Sequence, residues 1–285
     1  MIRFGPSGND TKFYEDGFKS SLDAPKWLHD MGLTAYEINF GHGIRMSLET
    51  AQKMGENARA YNISISIHAP YFINLATDDQ TKIKKSYEYI SKCLEIAKTI
   101  SASDGPAHLV VHIGSQCELE REAALEYCKK NLAWAAEQLQ KNGFSNFLLC
   151  IETMGRYKAI GNYKEICDLC TVADCVIPTI DFGHINALEQ GELKRNPERA
   201  VEIMQYCMDK LGKKMQNVHI HFSSVAYTEK GERVHTALDD EKWSFSFENL
   251  ARFIKEKKLE PIIVCESDAV QARDALKLAK QYEIV

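Results

Sequence analysis

The sequence predicts a single-domain (β/α)8 barrel, an α/β fold in which eight parallel strands close into a ring that is surrounded by helices. Short apolar runs rich in β-branched residues alternate with longer segments of helical period, as expected of repeated βα units. Eight such runs favour a closed barrel over an open sheet. The length of 285 residues suits one barrel, and no Pro/Gly/Ser-rich linker divides the chain. We therefore expect one domain over residues 1–285.

The eight predicted strands are apolar runs, most of which end in or beside a polar residue. In chain order they are Ile2–Gly5, Ala35–Phe40, Ile63–His68, His108–Ile113, Phe147–Glu152, Val176–Asp181, Val218–Phe222 and Ile262–Glu266. Such runs are typical of strands buried on both faces of a parallel sheet.

The segments between the strands have apolar residues at helical spacing. We predict helices at Leu48–Tyr61, Ile83–Ile100, Ala123–Gln140, Tyr163–Thr171, Ala200–Leu211, Leu250–Lys257 and Ala269–Tyr282. The polar segment Ser223–Lys242 lacks this period and is the longest predicted loop, and long loops in compact domains are usually functional.

Composition excludes several classes of protein. Hydrophobic residues make up 45% of the chain and charged residues 26%, which is an ordinary globular balance. We find no apolar run long enough to span a bilayer and no signal peptide, so we expect a cytoplasmic protein without a membrane partner. We also expect a monomer. Nine cysteines, mostly within apolar stretches, are typical of reduced core thiols. The net charge of −5 argues against a basic coat for nucleic acid, although bound cations can reverse the potential in an acidic cleft.

Residues of the types that bind metals stand at the carboxyl ends of six predicted strands. In this fold those ends converge on one face, where active sites are built. The residues are His68 in ISIHAP, His112 in LVVHIG, Glu152 in LLCIETM, Asp181 and His184 in PTIDFGH, His219 and His221 in NVHIHFS, and Glu266 in IIVCES. His108 instead begins its strand, away from this face, and we interpret it as a packing residue.

This ligand set predicts the chemistry of the site. Histidine with Asp and Glu suits Zn²⁺, with Mn²⁺ or Fe²⁺ also compatible. The ligands exceed those that one ion needs, and close metal pairs are the usual device for displacement at phosphorus. One ion can lower the pKa of a bound water towards ~7 to give a hydroxide, while its neighbours neutralise the phosphate. The sequence therefore indicates phosphoester hydrolysis.

The motifs HAPYFINL, VVHIGS, IETMG, TIDFGH, VHIHF and CES resemble, in order and approximate spacing, those of the endonuclease IV family. These enzymes are trinuclear-zinc barrels that incise DNA on the 5′ side of abasic sites in base excision repair. The resemblance covers almost the whole chain. It implies a hydrolase whose partner is damaged double-stranded DNA.

Carried over by motif, the resemblance implies two or three zinc ions. It assigns His68 and His112 to one ion, Glu152 as a bridge to a second ion with Asp181, His219 and Glu266, and His184 and His235 to a third. Glu152 and Glu266 are the implied catalytic residues.

Two positions leave the implied ligand set open. The family has an Asp two residues before its last histidine, where this chain has Arg233, and Glu232 is the expected substitute one position further away. His221 follows His219 by two residues and therefore points to the same side of the strand. It is a rival ligand or a supporting residue.

The resemblance also implies a DNA-binding surface. Tyr71 and Phe72 match the pair that the family inserts at the lesion when the abasic nucleotide is flipped out. Arg45, in the loop GHGIR, resembles the family's minor-groove arginine. Ordinary aromatic packing over the barrel mouth is an equal alternative for Tyr71 and Phe72.

Two other functions remain as alternatives. A sugar isomerase or epimerase of the related xylose-isomerase-like barrels would use Glu152, Asp181, His219 and Glu266, but it would not need the further histidines. A metal-binding barrel that binds DNA or a partner without cutting is the third hypothesis.

Overall fold

The computed structural model describes residues 1–41, 43–101 and 105–285. Its main sheet has eight parallel strands in the order β1-β10-β7-β6-β5-β4-β3-β2, and β8 and β9 form a separate antiparallel hairpin. The strands are β1 (Arg3–Pro6), β2 (Ala35–Asn39), β3 (Ser64–His68), β4 (Ala107–Val111), β5 (Phe147–Glu152), β6 (Val176–Asp181), β7 (His219–His221), β8 (Ser224–Thr228), β9 (Gly231–Thr236) and β10 (Ile262–Cys265).

Helices follow the barrel strands and cover the outside of the sheet. They are α1 (Thr11–Glu15), α2 (Ala24–Met31), α3 (Leu48–Ala60), α4 (Gln80–Ser101), α5 (Arg121–Lys141), α6 (Tyr163–Leu169), α7 (Phe182–Leu188), α8 (Glu192–Arg195), α9 (Arg199–Leu211), α10 (Glu248–Glu256) and α11 (Gln271–Ile284), with short 3-10 helices at Ser21–Asp23 and Gly212–Met215. Their buried faces have helical spacing, as in Ala51, Met54 and Ala58 of α3.

The barrel closes where β1 meets β2. The backbone N–H of Thr34 donates to Phe4 O over 2.9 Å, and that of Gly8 donates to Glu37 O over 2.9 Å. A Cβ on Gly5 would lie 1.8 Å from the carbonyl oxygen of Ala35, so only glycine allows the two backbones to approach this closely.

The predicted fold class is confirmed, and each predicted barrel strand is present with ends that agree to within two residues. The predicted loop Ser223–Lys242 is instead largely the hairpin β8–β9. No helix within the described parts of the chain is both long and apolar enough to cross a membrane.

Candidate metal centre

The candidate metal centre lies at the carboxyl ends of the barrel strands, where histidine and carboxylate side chains converge. Three groups each place one possible ligand atom per residue within 4.8 Å of one another. Residues distant in sequence meet here because the strands of a parallel barrel all end on the same face. The groups are His68, His112 and Glu152; Glu152, Asp181, His221 and Glu266; and His184, Glu232 and His235.

Glu152, the last residue of β5, lies at the middle of the centre and has no exposed surface. Its Oε2 lies 3.1 Å from Nε2 of both His68 and His112. Its Oε1 lies 3.2 Å from Nδ1 of His184 and 3.3 Å from Nδ1 of His221. One carboxylate therefore faces imidazoles of all three groups, a position suited to bridging neighbouring ions.

Backbone carbonyls orient two of the histidines. Nδ1 of His68 donates to Ala69 O over 2.9 Å, and Nδ1 of His184 donates to Thr153 O over 2.9 Å. A histidine held in this way through one nitrogen offers the other nitrogen to a ligand. Nε2 of His184 accordingly faces the third group, 3.4 Å from Oε2 of Glu232.

His221 occupies the position that was expected for His219. Nδ1 of His221 lies 3.3 Å from Oε1 of Glu152 and 3.4 Å from Oε2 of Glu266. His219 lies two residues deeper in β7, and its Nε2 lies 3.0 Å from Oε2 of Glu37. Both side chains point into the barrel, but β7 ends at His221, so only this imidazole reaches the face where the other ligands meet. The structure therefore places His221, and not His219, in the second group.

Glu37, a fully buried carboxylate in β2, is absent from the predicted ligand set. Its Oε2 accepts a hydrogen bond from Ser66 Oγ over 2.9 Å, and its Oε1 lies 3.2 Å from Nε2 of His221. This contact leaves Nδ1 of His221 for the metal centre, an arrangement that commonly orients metal-binding histidines. The sequence did contain a signal for Glu37, which is the single charged residue in the run AYEIN. A carboxylate that is buried within a strand needs polar partners in the barrel.

A β-bulge brings Glu232 to the same face of β9 as His235. Residues three apart in a regular strand point to opposite faces. The pairing of β8 with β9 shifts after the Tyr227–Glu232 pair, so that Arg233 is the extra, unpaired residue of a bulge. The extra residue shifts the alternation of side chains between the two faces of β9 by one position. Glu232 and His235 therefore both lie beside His184. Glu232 thus stands where the sequence predicts a substitute for the missing aspartate.

The hairpin docks closely on the loop that follows β5. The backbone N–H of Glu232 donates to Gly155 O over 2.8 Å. A Cβ on Gly155 would lie 2.7 Å from Cβ of Glu232, so a larger residue would push the hairpin away. This close approach keeps the side chain of Glu232 only 16% exposed.

Opposite charges compensate for the burial of ionisable groups. Burial raises the pKa of Glu152, but His112 and His221 outweigh it and hold the pKa well below its ordinary value. Burial lowers the pKa of His68, but Glu152 opposes it and raises the pKa to about 9. Burial also raises the pKa of Glu266, but His221 outweighs this effect and lowers the pKa to about 2. Glu152 and Glu266 are therefore ionised at neutral pH, whereas His68 must lose a proton before it can bind a metal.

Unsatisfied atoms at the centre fit a divalent cation. Within the described residues, Oε1 of Glu152, Oδ2 of Asp181, Nδ1 of His221 and Nδ1 of His235 are buried without a partner in hydrogen-bond geometry. Oδ1 of Asp181 accepts the backbone N–H of His184 over 2.7 Å at the start of α7, which leaves Oδ2 for the centre. Buried polar atoms are ordinarily satisfied. Imidazole and carboxylate atoms that converge in this way suit Zn²⁺, Mn²⁺ or Fe²⁺.

An open cleft of about 880 Å³ leads to the centre. Arg45, Tyr71 and Arg233 line it together with His68, His112, His184, His235 and Glu266. The side chains of Tyr71 and Phe72 are 58% and 43% exposed. Phe72 also packs edge-on against Tyr89, with ring centroids 4.7 Å apart, so the structure retains both the DNA-binding and the packing interpretation of this pair.

Comparison with known proteins gives two sequence relatives and solved structures of the same fold. A probable endonuclease 4 of Mycoplasma pneumoniae is 24% identical over 230 residues, which are 78% of this chain and 74% of that protein. An uncharacterized protein of Methanocaldococcus jannaschii is 28% identical over 283 residues, 99% of this chain and 97% of that one. The crystal structure of a D-tagatose 3-epimerase-like protein matches with a TM-score of 0.71 and 22% identity, covering 100% of this chain and 98% of that one.

A family profile covers nearly the same range as the barrel. The profile of the xylose isomerase-like TIM barrels matches residues 25–282, which run from α2 into α11. The match agrees with the eight parallel strands and with the position of the ligands at their carboxyl ends. This chain therefore belongs to the xylose isomerase-like TIM barrel family.

Proposed function

We propose that this protein is a metal-dependent phosphodiesterase of the endonuclease IV type, which hydrolyses the DNA backbone on the 5′ side of abasic sites. The observation that carries the proposal is the presence of three ligand groups. The group around His221 offers enough ligands for one ion, so the groups around His68 and His184 are in excess of a mononuclear site. Adjacent ions are typical of phosphoester hydrolysis. The similarity to a probable endonuclease 4 supports the same activity.

The residues of the centre have distinct roles in this proposal. Two or three divalent cations, for which Zn²⁺ is the best fit, would supply Lewis-acid stabilisation of the phosphate and a more acidic water. Glu152 is a catalytic carboxylate because it contacts all three groups. Glu266 is the second, since its side chain is 13% exposed, lines the cleft and is held ionised by its low pKa.

The rim of the cleft supplies the proposed contacts with DNA. Arg45 and Arg233 are exposed there and can pair with backbone phosphates, which position a duplex without reading its sequence. Tyr71 presents an exposed ring beside Phe72 and can fill the gap left by a flipped abasic nucleotide. Because the chain has a net charge of −5, its surface as a whole does not attract DNA. The attraction must therefore come from this cleft.

A sugar epimerase or isomerase is the second candidate. Glu152, Asp181, His221 and Glu266 alone can form a one-metal site, and a D-tagatose 3-epimerase-like protein has the same fold. This function leaves the groups around His68 and His184 without a chemical role, which is why it ranks second.

The test is to measure cleavage and metal content on the same preparation. Protein purified without chelator is incubated with a duplex that carries one abasic site, with the undamaged duplex and with a panel of ketoses. The proposal expects incision of the abasic strand alone, on its 5′ side, and two or three ions per chain. One ion per chain together with ketose turnover and no incision would establish the epimerase instead.

A further inference from the structure

The barrel interior beneath the metal centre is polar where this fold usually has branched apolar side chains. The sulfur of Cys150 and one nitrogen each of His108 and His219 lie within 4.8 Å of one another. Cys150 and His219 are fully buried, and neither Cys150 nor His108 belongs to the groups at the carboxyl ends of the strands, whereas His219 also forms a group with Glu37 and His221. The cluster therefore needs an explanation of its own.

His219 has one nitrogen fixed and the other unused. Its Nε2 lies 3.0 Å from Oε2 of Glu37, and within the described residues its Nδ1 has no hydrogen-bond partner. An unsatisfied buried nitrogen is costly. An imidazole that is backed by a carboxylate and has its other nitrogen free has the arrangement of a metal-binding histidine.

The contact between Cys150 and His108 has the spacing of two ligands on one ion. Sγ of Cys150 lies 3.9 Å from Nδ1 of His108. Zinc bonds of roughly 2.3 Å to sulfur and 2.0–2.1 Å to nitrogen at a tetrahedral angle separate the two ligand atoms by about 3.6 Å. Small side-chain shifts would therefore allow both atoms to bind the same cation.

We propose that Cys150, His108 and His219 form a second, buried metal site for a single Zn²⁺-class ion. The Cys150 thiol releases its proton to solvent as the sulfur–metal bond forms, so that thiolate and cation combine. The thiolate and the Glu37 carboxylate together offset the two positive charges. A site with one thiolate and two imidazoles selects softer cations than the histidine and carboxylate centre above it.

One member of the cluster, His108, borders a cavity at the opposite end of the barrel. His108 is only partly buried and lines a cavity of about 560 Å³ with Arg3 and Ser64, which lie where β1 and β3 begin. Glu37 contacts both His219 and His221, and so joins the buried site to the metal centre. An ion on His219 would fix Glu37 and, through it, the imidazole of His221.

Co²⁺ tests the proposal because, of the candidate sites described above, only the buried one includes a sulfur ligand. The full chain is stripped with chelator, checked for folding by circular dichroism and titrated with CoCl2. We expect a near-ultraviolet thiolate-to-cobalt absorption band that saturates at one equivalent and disappears when Zn²⁺ displaces the cobalt. Cys150→Ala should abolish the band. If the Cys150→Ala protein does not fold, His108→Asn is tested in its place and should weaken cobalt binding at least tenfold.

Two controls separate this site from other thiols and from the proposed function. Cys93→Ala, which changes an equally buried thiol in α4, should leave the band intact. Glu152→Gln should also leave it intact, because this substitution changes only the metal centre above. A folded wild-type protein without the band, or a band that survives Cys150→Ala, would overturn the proposal, whether or not the protein cuts DNA.

Discussion

The properties of the metal centre depend most on Glu152, because its two oxygens face imidazoles of all three ligand groups. Glu152→Gln replaces a shared negative charge with a neutral amide of the same size. If the proposed function is correct, incision of abasic DNA should fall by at least about 100-fold and bound metal should decrease, since an amide would not hold neighbouring ions as a shared carboxylate would. Initial rates and elemental analysis of the folded variant measure both effects.

The matched control is Glu118→Gln, which neutralises an exposed carboxylate outside the three groups. It should change neither the rate nor the metal content, since exposed substitutions usually have small effects. Incision at the wild-type rate by folded Glu152→Gln protein would exclude Glu152 from the reaction.

Glu37 supports the centre without reaching the cleft. Glu37→Gln replaces the carboxylate that contacts Nε2 of both His219 and His221 with a neutral amide, and so weakens the contact that orients His221. Removal of such a supporting carboxylate typically lowers metal affinity by about 10–100-fold. Competition with a chromophoric chelator measures this change. Ser66→Ala, which removes only one hydrogen bond to Glu37, should have a smaller effect, and equal affinities in all three proteins would refute the role.

The sequence could predict which side chains reach the centre only where the last residue of a predicted strand is of a type that binds metals. His68, Glu152 and Asp181 each end a strand and were recognisable for that reason. The choice between His219 and His221 depends on where β7 ends relative to its neighbours, which periodicity alone does not determine. The role of Glu37 depends on contacts across the barrel, to residues more than 180 positions away.

At the level of elements, the hairpin β8–β9 and the short helices α1, α2, α7 and α8 are the parts of the structure that the sequence analysis did not predict. Strand β9 of the hairpin is only partly buried, and the bulge at Arg233 breaks the alternation by which a strand is recognised. The docking of the hairpin on Gly155 is a tertiary contact, which is absent from any local pattern. The barrel strands, by contrast, were predictable because both faces of each strand are buried.

The bulge predicts a specific effect of Glu232→Ala. If Glu232 and His235 complete the third group, the substitution should lower the metal content by about one ion per chain and leave the ions bound by Glu152. Glu229→Ala, at the exposed tip of the same hairpin, is the control and should retain all ions. Unchanged metal content in the Glu232 variant would mean that other atoms complete the site.

The loop after β3 carries the prediction for DNA binding. If Tyr71 and Phe72 fill the gap of a flipped nucleotide, changing both to Ala should weaken binding to an abasic duplex by roughly 1–3 kcal/mol, the scale of aromatic stacking on bases. Hydrolysis of a small phosphodiester, which requires no flipping, should continue at the same rate. Equal loss on both substrates would indicate that the pair only packs over the barrel mouth, as the contact of Phe72 with Tyr89 allows.

For the whole molecule, the closed barrel holds together candidate ligands that come from many different elements. Candidate ligands come from β3, β5, β6, β7, α7 and the hairpin, and from His112 and Glu266, which directly follow β4 and β10, so no single element carries the site. Ions that bind the folded chain but not the unfolded chain must therefore stabilise the whole barrel. Chelation should lower the melting temperature in one cooperative transition.

The size of that stabilisation should depend on pH in a defined direction. In the metal-free protein the pKa of His68 is raised from 6.5 to about 9 by Glu152 against burial, so its ion pair stabilises the fold fully below pH 6.5 and progressively less as pH rises to 9. Metal binding requires neutral imidazoles and strengthens over the same range. We therefore expect the difference in melting temperature between metal-loaded and chelated protein to increase from pH 6.5 to 9. Calorimetry at matched ionic strength measures it, and a difference that is constant or decreases across this range would show that His68 does not exchange its proton for a metal ion.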